Sequence, residues 1–232
     1  MSARLAETFK YFDLLDFPMF EKISKQSEFE PFGELSKIIG GLKQGDLAGV
    51  ITTDQLTYAY LLHLALSSFP GNSYYLDVSS KISSKILESI GGNPDKVFFA
   101  RVYSIKDVIS ALNYVEGNSL FALGSINIVG IDSSSLLQLK KLIGDKALWG
   151  IFFIEEQSLN ELDLISEARR LLFLPELFEQ LIVARTTYYR GRYKLTVTVL
   201  RTYPERLSSL GDHELIVDEE IKKILSQSTE GG

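Results

Sequence analysis

Short apolar runs that alternate with helical segments constrain the fold of this chain more than any other feature. The runs at 47–51, 97–102 and 148–154 have almost no polar interruption, and a segment with helical character follows each of them. Strands with this composition are buried on both faces, because helices cover both sides of their sheet. The alternation therefore predicts an α/β fold of three layers with a mostly parallel central sheet.

Turn and capping residues divide the rest of the chain into further elements. We expect strands at 47–51, 74–78, 97–102, 126–131 and 148–154. We expect a short helix closed by Gly40 and Gly41, and helices near 57–67, 80–90, 104–116, 134–143, 160–173 and 218–227. After 180 the pattern changes: residues 186–201 alternate with period two around Arg190 and Gly191, which predicts an antiparallel hairpin.

The domain organisation follows from composition. Residues 1–31 are interpreted as an aromatic-rich appendage with a polar linker from 25 onward, residues 32–226 as the core, and residues 227–232 as a disordered tail. The appendage is too apolar for a free tail, so Phe9, Phe12, Phe17 and Phe20 are predicted to dock on a partner subunit or on a second copy.

Composition excludes several classes of protein. The 232 residues carry a net charge of −6, which argues against a surface devoted to nucleic acid, although a local basic patch remains compatible. There is no cysteine, so disulfides, thiolate metal sites and cysteine nucleophiles are excluded together. No signal peptide and no stretch of 18 uncharged apolar residues is present, so the expected location is the cytoplasm and no membrane contact is predicted.

The segment from Gly45 to Leu66 has the frame of a phosphate-binding loop without its chemistry. A working loop, G-x-x-x-x-G-K-[ST], needs glycines to wrap the phosphates, a lysine to reach them and a hydroxyl for Mg²⁺. Here no glycine lies between Val50 and Pro70, and no lysine or arginine lies between Lys43 and Lys81. We therefore expect no ATP binding, no enzymatic activity, no cofactor and no metal.

The order of elements resembles the ATPase core of the RecA-type recombinases, and most of all archaeal RadA and its paralogs. The resemblance covers about 32–225: F-G-E-L through G-G-L-K-Q-G at 32–45, Y-L-D at 75–77, I-V-G-I-D-S at 128–133 and the C-terminal hairpin. It places Thr52 and Thr57 at the two loop glycines, Tyr58 at the lysine and Ala59 at the hydroxyl residue. It further places Ser79 at the catalytic glutamate and Asp132 at the Walker B aspartate.

Departures from the family carry as much information as the matches. Only the 15 residues from 133 to 147 separate Asp132 from the next strand, so the first DNA-binding loop is interpreted as strongly shortened. An acidic helix takes the place of the second, glycine-rich DNA loop, and the family's helical N-terminal domain is expected to be absent. Without a phosphate ligand, Asp132 is interpreted as a buried strand-end relic in preference to a Mg²⁺ ligand.

A basic and aromatic cluster on the predicted hairpin is the main candidate for binding. Its members are Arg185, Tyr189, Arg190, Arg192, Lys194 and Arg201. Such a set can stack on and pair with single-stranded nucleic acid, contact a protein, or form ordinary cross-strand pairs of an exposed hairpin. Of the two histidines, His63 is interpreted as a satisfied core side chain, and the Glu155–Glu156 pair as a solvated strand end in preference to an acid–base pair.

The resemblance implies a function that works through contacts. We expect a non-catalytic accessory protein of recombinational DNA repair, similar to RadA paralogs, whose partner is the recombinase, another paralog or a second copy. Two alternatives stay open: a regulatory ATPase similar to KaiC, and a single-stranded-DNA-binding module that uses the hairpin. Direct DNA contact is expected to be weak.

Overall fold

The computed structural model describes residues 26–229, with side chains through Gln227. Eight strands form one sheet in the spatial order β10-β9-β8-β3-β7-β6-β4-β5, and two short strands pair beside it. The strands are β1 (Glu28–Phe29), β2 (Leu42–Lys43), β3 (Leu47–Thr52), β4 (Ser73–Asp77), β5 (Val97–Arg101), β6 (Leu120–Leu123), β7 (Trp149–Glu155), β8 (Gln180–Tyr189), β9 (Arg192–Arg201) and β10 (Gly211–Ile216).

Seven α-helices accompany the sheet within the described residues. They are α1 (Glu34–Ile39), α2 (Gln55–Ser68), α3 (Ser84–Ser89), α4 (Ile105–Leu112), α5 (Ser133–Asp145), α6 (Leu164–Leu172) and α7 (Asp218–Thr229). Apolar side chains of α2, α3 and α7 join one buried cluster, and those of α4, α5 and α6 join a second. The two clusters lie on opposite faces of the sheet, which accounts for the almost fully apolar β3, β6 and β7.

The predicted fold class is confirmed. The neighbours from β8 to β5 all pair in parallel, whereas β9 is antiparallel to β8 and β10 is antiparallel to β9. The hairpin turns at Arg190 and Gly191, whose φ angles of 50° and 79° are both positive. A two-residue turn with two positive φ angles matches the twist of the strands that it joins. None of the helices between residues 26 and 229 is both long and apolar enough to cross a bilayer.

The predicted strand at 126–131 is wrong. These residues form turns, and the strand between β4 and β7 is β6, which ends at Leu123. Ile126, Val129 and Ile131 are nevertheless buried in the second apolar cluster. The apolar pattern at 126–131 arises because an irregular segment buries these side chains. Apolarity alone does not distinguish a strand from a packed turn.

The boundaries of the core also differ from the prediction. Residues 28 and 29 belong to β1, which pairs with β2, so the core begins before residue 32 and the supposed linker is partly structured. Phe29 is buried and meets Phe69 edge to face with ring centroids 5.0 Å apart. At the other end α7 continues to Thr229, into the segment that was expected to be disordered. The appendage through residue 24, with Phe9, Phe12, Phe17 and Phe20, lies outside the described residues.

Candidate functional site

The connection between β3 and α2 is only two residues long, Thr53 and Asp54. The Asp54 carboxylate caps α2: Oδ1 accepts from the Thr57 backbone N–H at 2.7 Å, and Oδ2 accepts from the Thr57 hydroxyl at 2.7 Å. Oδ2 also accepts from the backbone N–H of Thr186 on β8, at 3.2 Å. The free N–H groups of a helix N-terminus can bind an anion, and here the Asp54 side chain of the protein itself accepts from one of them.

Tyr58, at the position that the resemblance assigned to lysine, is fully buried. Its hydroxyl lies 3.1 Å from the hydroxyl of Tyr75 on β4, and Tyr75 donates to Asp77 Oδ2 at 2.8 Å. The backbone of Ser125 bonds to the Tyr58 oxygen, which leaves the Tyr58 proton for Tyr75. Burial, and then the neighbouring charges, raise the pKa of both tyrosines far above their ordinary value, so both stay protonated donors.

Gly124 follows β6 and lies directly against this chain of hydroxyls. A Cβ atom at Gly124 would lie 2.4 Å from the Tyr58 oxygen, 2.8 Å from the Tyr75 oxygen and 2.9 Å from Asp77 Cγ. Only a hydrogen atom fits there. β6 is the strand between β4 and β7, and its end lies at Leu123, directly before Gly124, and not at Asp132.

The interpretation of Asp132 as a buried strand-end residue is therefore wrong. Asp132 is exposed and precedes α5, where its Oδ1 accepts from the Ser135 backbone at 2.7 Å and from the Ser134 hydroxyl at 2.8 Å. These bonds, led by that of the Ser135 backbone, lower the pKa of Asp132 to about 2. Asp132 acts as a helix cap, a role that the serine-rich sequence after it is suited to support.

Lys81 and Glu155 close the site from the solvent side. The Lys81 ammonium lies 4.2 Å from the centre of the Tyr58 ring and donates to Glu155 Oε2 at 2.9 Å. Partial burial raises the pKa of Glu155, but the hydrogen bonds from Lys81 and Gln157 outweigh it, so the net shift is downward. The contact of the Lys81 ammonium with the Tyr58 ring and its ion pair with Glu155 together fix the position of the Lys81 side chain.

We call this set the tyrosine cluster: Tyr58, Tyr75, Asp77, Ser79, Lys81, Gly124 and Glu155. The structure brings the predicted Tyr58 and Ser79 together, since Ser79 donates to Asp77 Oδ2 at 3.1 Å. Thr52, Thr57 and Ala59 lie beside it, and the Thr52 hydroxyl donates to the Ile154 carbonyl at 3.2 Å. The other members, Tyr75, Asp77, Lys81, Gly124 and Glu155, were not predicted as site residues. A Gly-Ser pair directly after an apolar run was the available signal.

His63 is a satisfied core histidine, as predicted. Its Nδ1 donates to the Ala59 carbonyl at 2.7 Å, and its Nε2 accepts from the Ser83 backbone at 2.9 Å. Burial lowers the pKa of His63, which keeps the ring neutral. Glu156 bonds to Ser158 and lies 3.3 Å from Arg170, so it belongs to a surface ion-pair network separate from Glu155 and Lys81.

The hairpin cluster is partly neutralised by carboxylates. Arg185 pairs with Glu161 at 2.5 Å, and Lys194 pairs with Glu214 at 2.6 Å. At the tip, Tyr188 and Tyr189 are exposed, Arg190 stacks over Tyr189 at 5.0 Å, and Arg192 is exposed. Arg201 lies at the far end of β9, paired in register with Leu181, and so is remote from the tip. The structure therefore divides the six predicted residues into a tip (Tyr189, Arg190 and Arg192), a neutralised base (Arg185 and Lys194) and the remote Arg201.

Comparisons with known proteins identify the fold. No protein-family model matches the sequence, and no curated protein matches it. The crystal structure of flagellar accessory protein FlaH from Methanocaldococcus jannaschii is similar, with a TM-score of 0.61 over 82% of this chain and 94% of that chain, at 14% identity. The fold is RecA-like. Because 523 solved chains match, the likeness establishes an architecture and assigns no activity to this chain.

Proposed function

We propose that this chain is a RecA-fold protein without nucleotide chemistry that works as an accessory subunit through protein contacts. The observation that carries the proposal is the tyrosine cluster. Side chains of the protein fill the space at the carboxyl ends of β3, β4 and β6, where an open α/β sheet usually holds its ligand. The Asp54 carboxylate adds a negative charge at the N-terminus of α2, where a phosphate would have to bind.

The partner class follows from the resemblance to RadA paralogs. A recombinase or paralog subunit in recombinational DNA repair, or a second copy of this chain, is the proposed partner, and the cytoplasm the proposed location. Similarity to FlaH, which is described as a flagellar accessory protein, supports an accessory role for a RecA-like chain in general. At 14% identity the similarity identifies no particular partner.

The hairpin tip is the proposed contact surface. Tyr188, Tyr189, Arg190 and Arg192 are all exposed at the tip, and tyrosine and arginine are the residues that interfaces enrich at their energetic centres. The stacked pair of Arg190 and Tyr189 also favours a second candidate function, a stacking platform for single-stranded nucleic acid. Carboxylates beside Arg185 and Lys194 reduce the local positive charge, which makes the protein partner the preferred proposal.

Affinity purification from a native cell extract tests this function. The double variant Tyr189→Ala with Arg190→Ala should retain at most about a tenth of the partner that the wild type captures, because interface anchors of these types each contribute about 2 kcal/mol or more. Tyr114→Ala is the matched control, since Tyr114 is exposed to 86% and lies away from the hairpin. Equal capture by all three proteins would contradict the assignment of the tip. Loss of bound oligonucleotide, with protein capture unchanged, would support the second candidate.

A further inference from the structure

The two edges of the eight-stranded sheet differ in how they are protected. Strand β10 forms one edge, and its residues include Asp212, His213 and Glu214, whose polar side chains discourage pairing with another chain. Strand β5 forms the other edge, and its residues 97–100 are the apolar V-F-F-A. Within the part of the chain that the structure describes, β5 pairs only with β4. The edge at β5 therefore lacks the polar residues that usually prevent pairing.

Apolar side chains of β5 lie on both faces of the sheet. Phe98 stacks on Tyr74 with ring centroids 5.0 Å apart, on the face that α4, α5 and α6 cover. Val97 and Phe99 pack against the apolar cluster of the opposite face. Phe98 is nevertheless exposed to 48%, and Phe99 is only half-buried. A strand that is apolar on both faces is typical of the interior of a sheet, where a neighbouring strand covers its outer side.

The backbone of β5 has hydrogen-bonding groups on its outer side. Directly after the strand, the Val102 N–H donates to the Asp77 carbonyl at 3.0 Å, so the backbone groups of the even-numbered positions face β4. Those of Val97, Phe99 and Arg101 consequently point away from β4, because successive residues of a strand direct these groups to opposite sides. These positions can therefore pair with one more strand.

Charges of opposite sign flank this edge. Asp95 precedes β5 and Arg101 ends it, both are exposed, and neither has an ion-pair partner among the residues whose side chains are described. An antiparallel copy of the strand with Phe98 opposite Phe98 brings each Asp95 opposite the Arg101 of the other copy. The same register places Val97 opposite Phe99, so that backbone groups pointing outward meet as a hydrogen-bonded pair. The edge is thus complementary to itself.

We propose that β5 pairs with the β5 of a second copy about a two-fold axis, which joins two eight-stranded sheets into one. The two Phe98 rings face one another across the axis, and each contact between Arg101 and Asp95 occurs twice. The paired segment 95–101 is roughly 23 Å long. An interface of this size is small, so we expect a dissociation constant on the order of 10 µM. Four strands separate β5 from β8, so this dimer leaves the hairpin tip free.

Sedimentation equilibrium of the full-length protein tests this dimer. At concentrations roughly tenfold above that dissociation constant, the wild type should approach about 52 kDa, twice the 26.0 kDa of one chain. Phe98→Asp should raise the dissociation constant at least roughly a hundredfold, because two carboxylates would face one another across an apolar contact. Leu207→Asp is the matched control, since Leu207 is exposed to 59% between β9 and β10. A monomeric wild type, or equal constants for all three proteins, would overturn the proposal.

Exchange of the flanking charges tests the register while the core stays intact. Arg101→Asp or Asp95→Arg alone should raise the dissociation constant about tenfold, because like charges then oppose one another twice. The double variant restores opposite charges and should dimerise like the wild type. Both side chains are exposed, so all three variants should melt like the wild type, which circular dichroism can check.

Single variants that associate like the wild type, or a double variant that stays impaired, would overturn the register and with it the proposal. Dimers that dissociate with Tyr189→Ala and Arg190→Ala, but persist with Phe98→Asp, would overturn it as well, because the copies would then meet at the hairpin tip.

Discussion

The hydrogen side chain of Gly124 leaves room for the hydroxyls of Tyr58 and Tyr75 to meet beside Asp77. The backbone angles at position 124 do not require glycine, since φ is not positive there. Glycine is required because other atoms approach its Cα closely, as they do at a glycine that lies against a ligand. Here the approaching group is a buried tyrosine of the same chain.

Gly124→Ala should therefore destabilise the protein. The added methyl group would overlap the Tyr58 oxygen, and overpacking in a rigid core costs roughly 1–3 kcal/mol. Gly144→Ala is the matched control, because Gly144 lies in α5 and nothing lies within 4 Å of a Cβ atom there. Urea unfolding should show a lower midpoint for Gly124→Ala alone. Two variants that are equally stable would mean that the tyrosine cluster is loosely packed.

The Lys81–Glu155 pair gives a prediction about pH. The pKa of Glu155 is lower in the folded protein than its ordinary value of 4.5, so the pair stabilises the fold above that pH. This contribution is lost as the pH falls through the folded-state pKa. Glu155→Gln should cost about 1 kcal/mol or less at pH 7, since the pair is partly exposed to solvent.

Unfolding free energies of the wild type and Glu155→Gln should accordingly converge as the pH falls below 4.5. Glu161→Gln is a useful control, because Glu161 pairs with Arg185 at an exposed site where screening is greater. A difference that stays constant across that range would show that the carboxylate of Glu155 does not contribute through its charge.

Among the elements, the hairpin of β8 and β9 depends on its two-residue turn. Gly191 has a φ of 79°, and no atom lies within 4 Å of the place where a Cβ would be. Gly191→Ala should thus cost roughly 1–2 kcal/mol from backbone conformation alone. Arg190→Asn should keep or raise stability, because asparagine tolerates a positive φ at this position of the turn.

Thermal melting distinguishes these two variants. A lower melting temperature for Gly191→Ala together with an equal or higher one for Arg190→Asn supports the described turn. Equal melting of Gly191→Ala and the wild type would indicate that the turn adopts another conformation.

The elements also show what the sequence could and could not predict. Strands such as β3 and β7 were predicted almost to the residue, because long apolar runs flanked by glycine or polar turns have few alternatives. β6 was missed, because its four residues are too few to show a period, whereas the apolar 126–131 segment next to it was more conspicuous. Because of that error the strand end was expected at Asp132, whereas β6 ends at Leu123, next to Gly124.

The tyrosine cluster was predictable only in part, for a related reason. The resemblance placed Tyr58 and Ser79 at the site because both lie in recognisable segments of sequence. Lys81, Glu155 and Gly124 meet Tyr58 only through tertiary contacts between separate segments of the chain. No local pattern reports such contacts.

For the whole molecule, we propose that side chains of the protein occupy the place where a RecA-like fold would hold a nucleotide. Asp54 caps the N-terminus of α2, Tyr58 is fully buried, and Gly124 packs against the Tyr58 and Tyr75 hydroxyls. Each replacement removes a charge-assisted contact of roughly 1.5–3 kcal/mol that a nucleotide would need.

Isothermal titration of the full-length protein with Mg-ATP tests this claim most directly. Loss of several such contacts should weaken binding from the micromolar range to a dissociation constant of about 1 mM or higher. A RecA-fold ATPase with an intact phosphate loop, titrated under the same conditions, shows that the heat signal is adequate. We expect no saturable binding below about 1 mM, and a micromolar dissociation constant for Mg-ATP would contradict this claim.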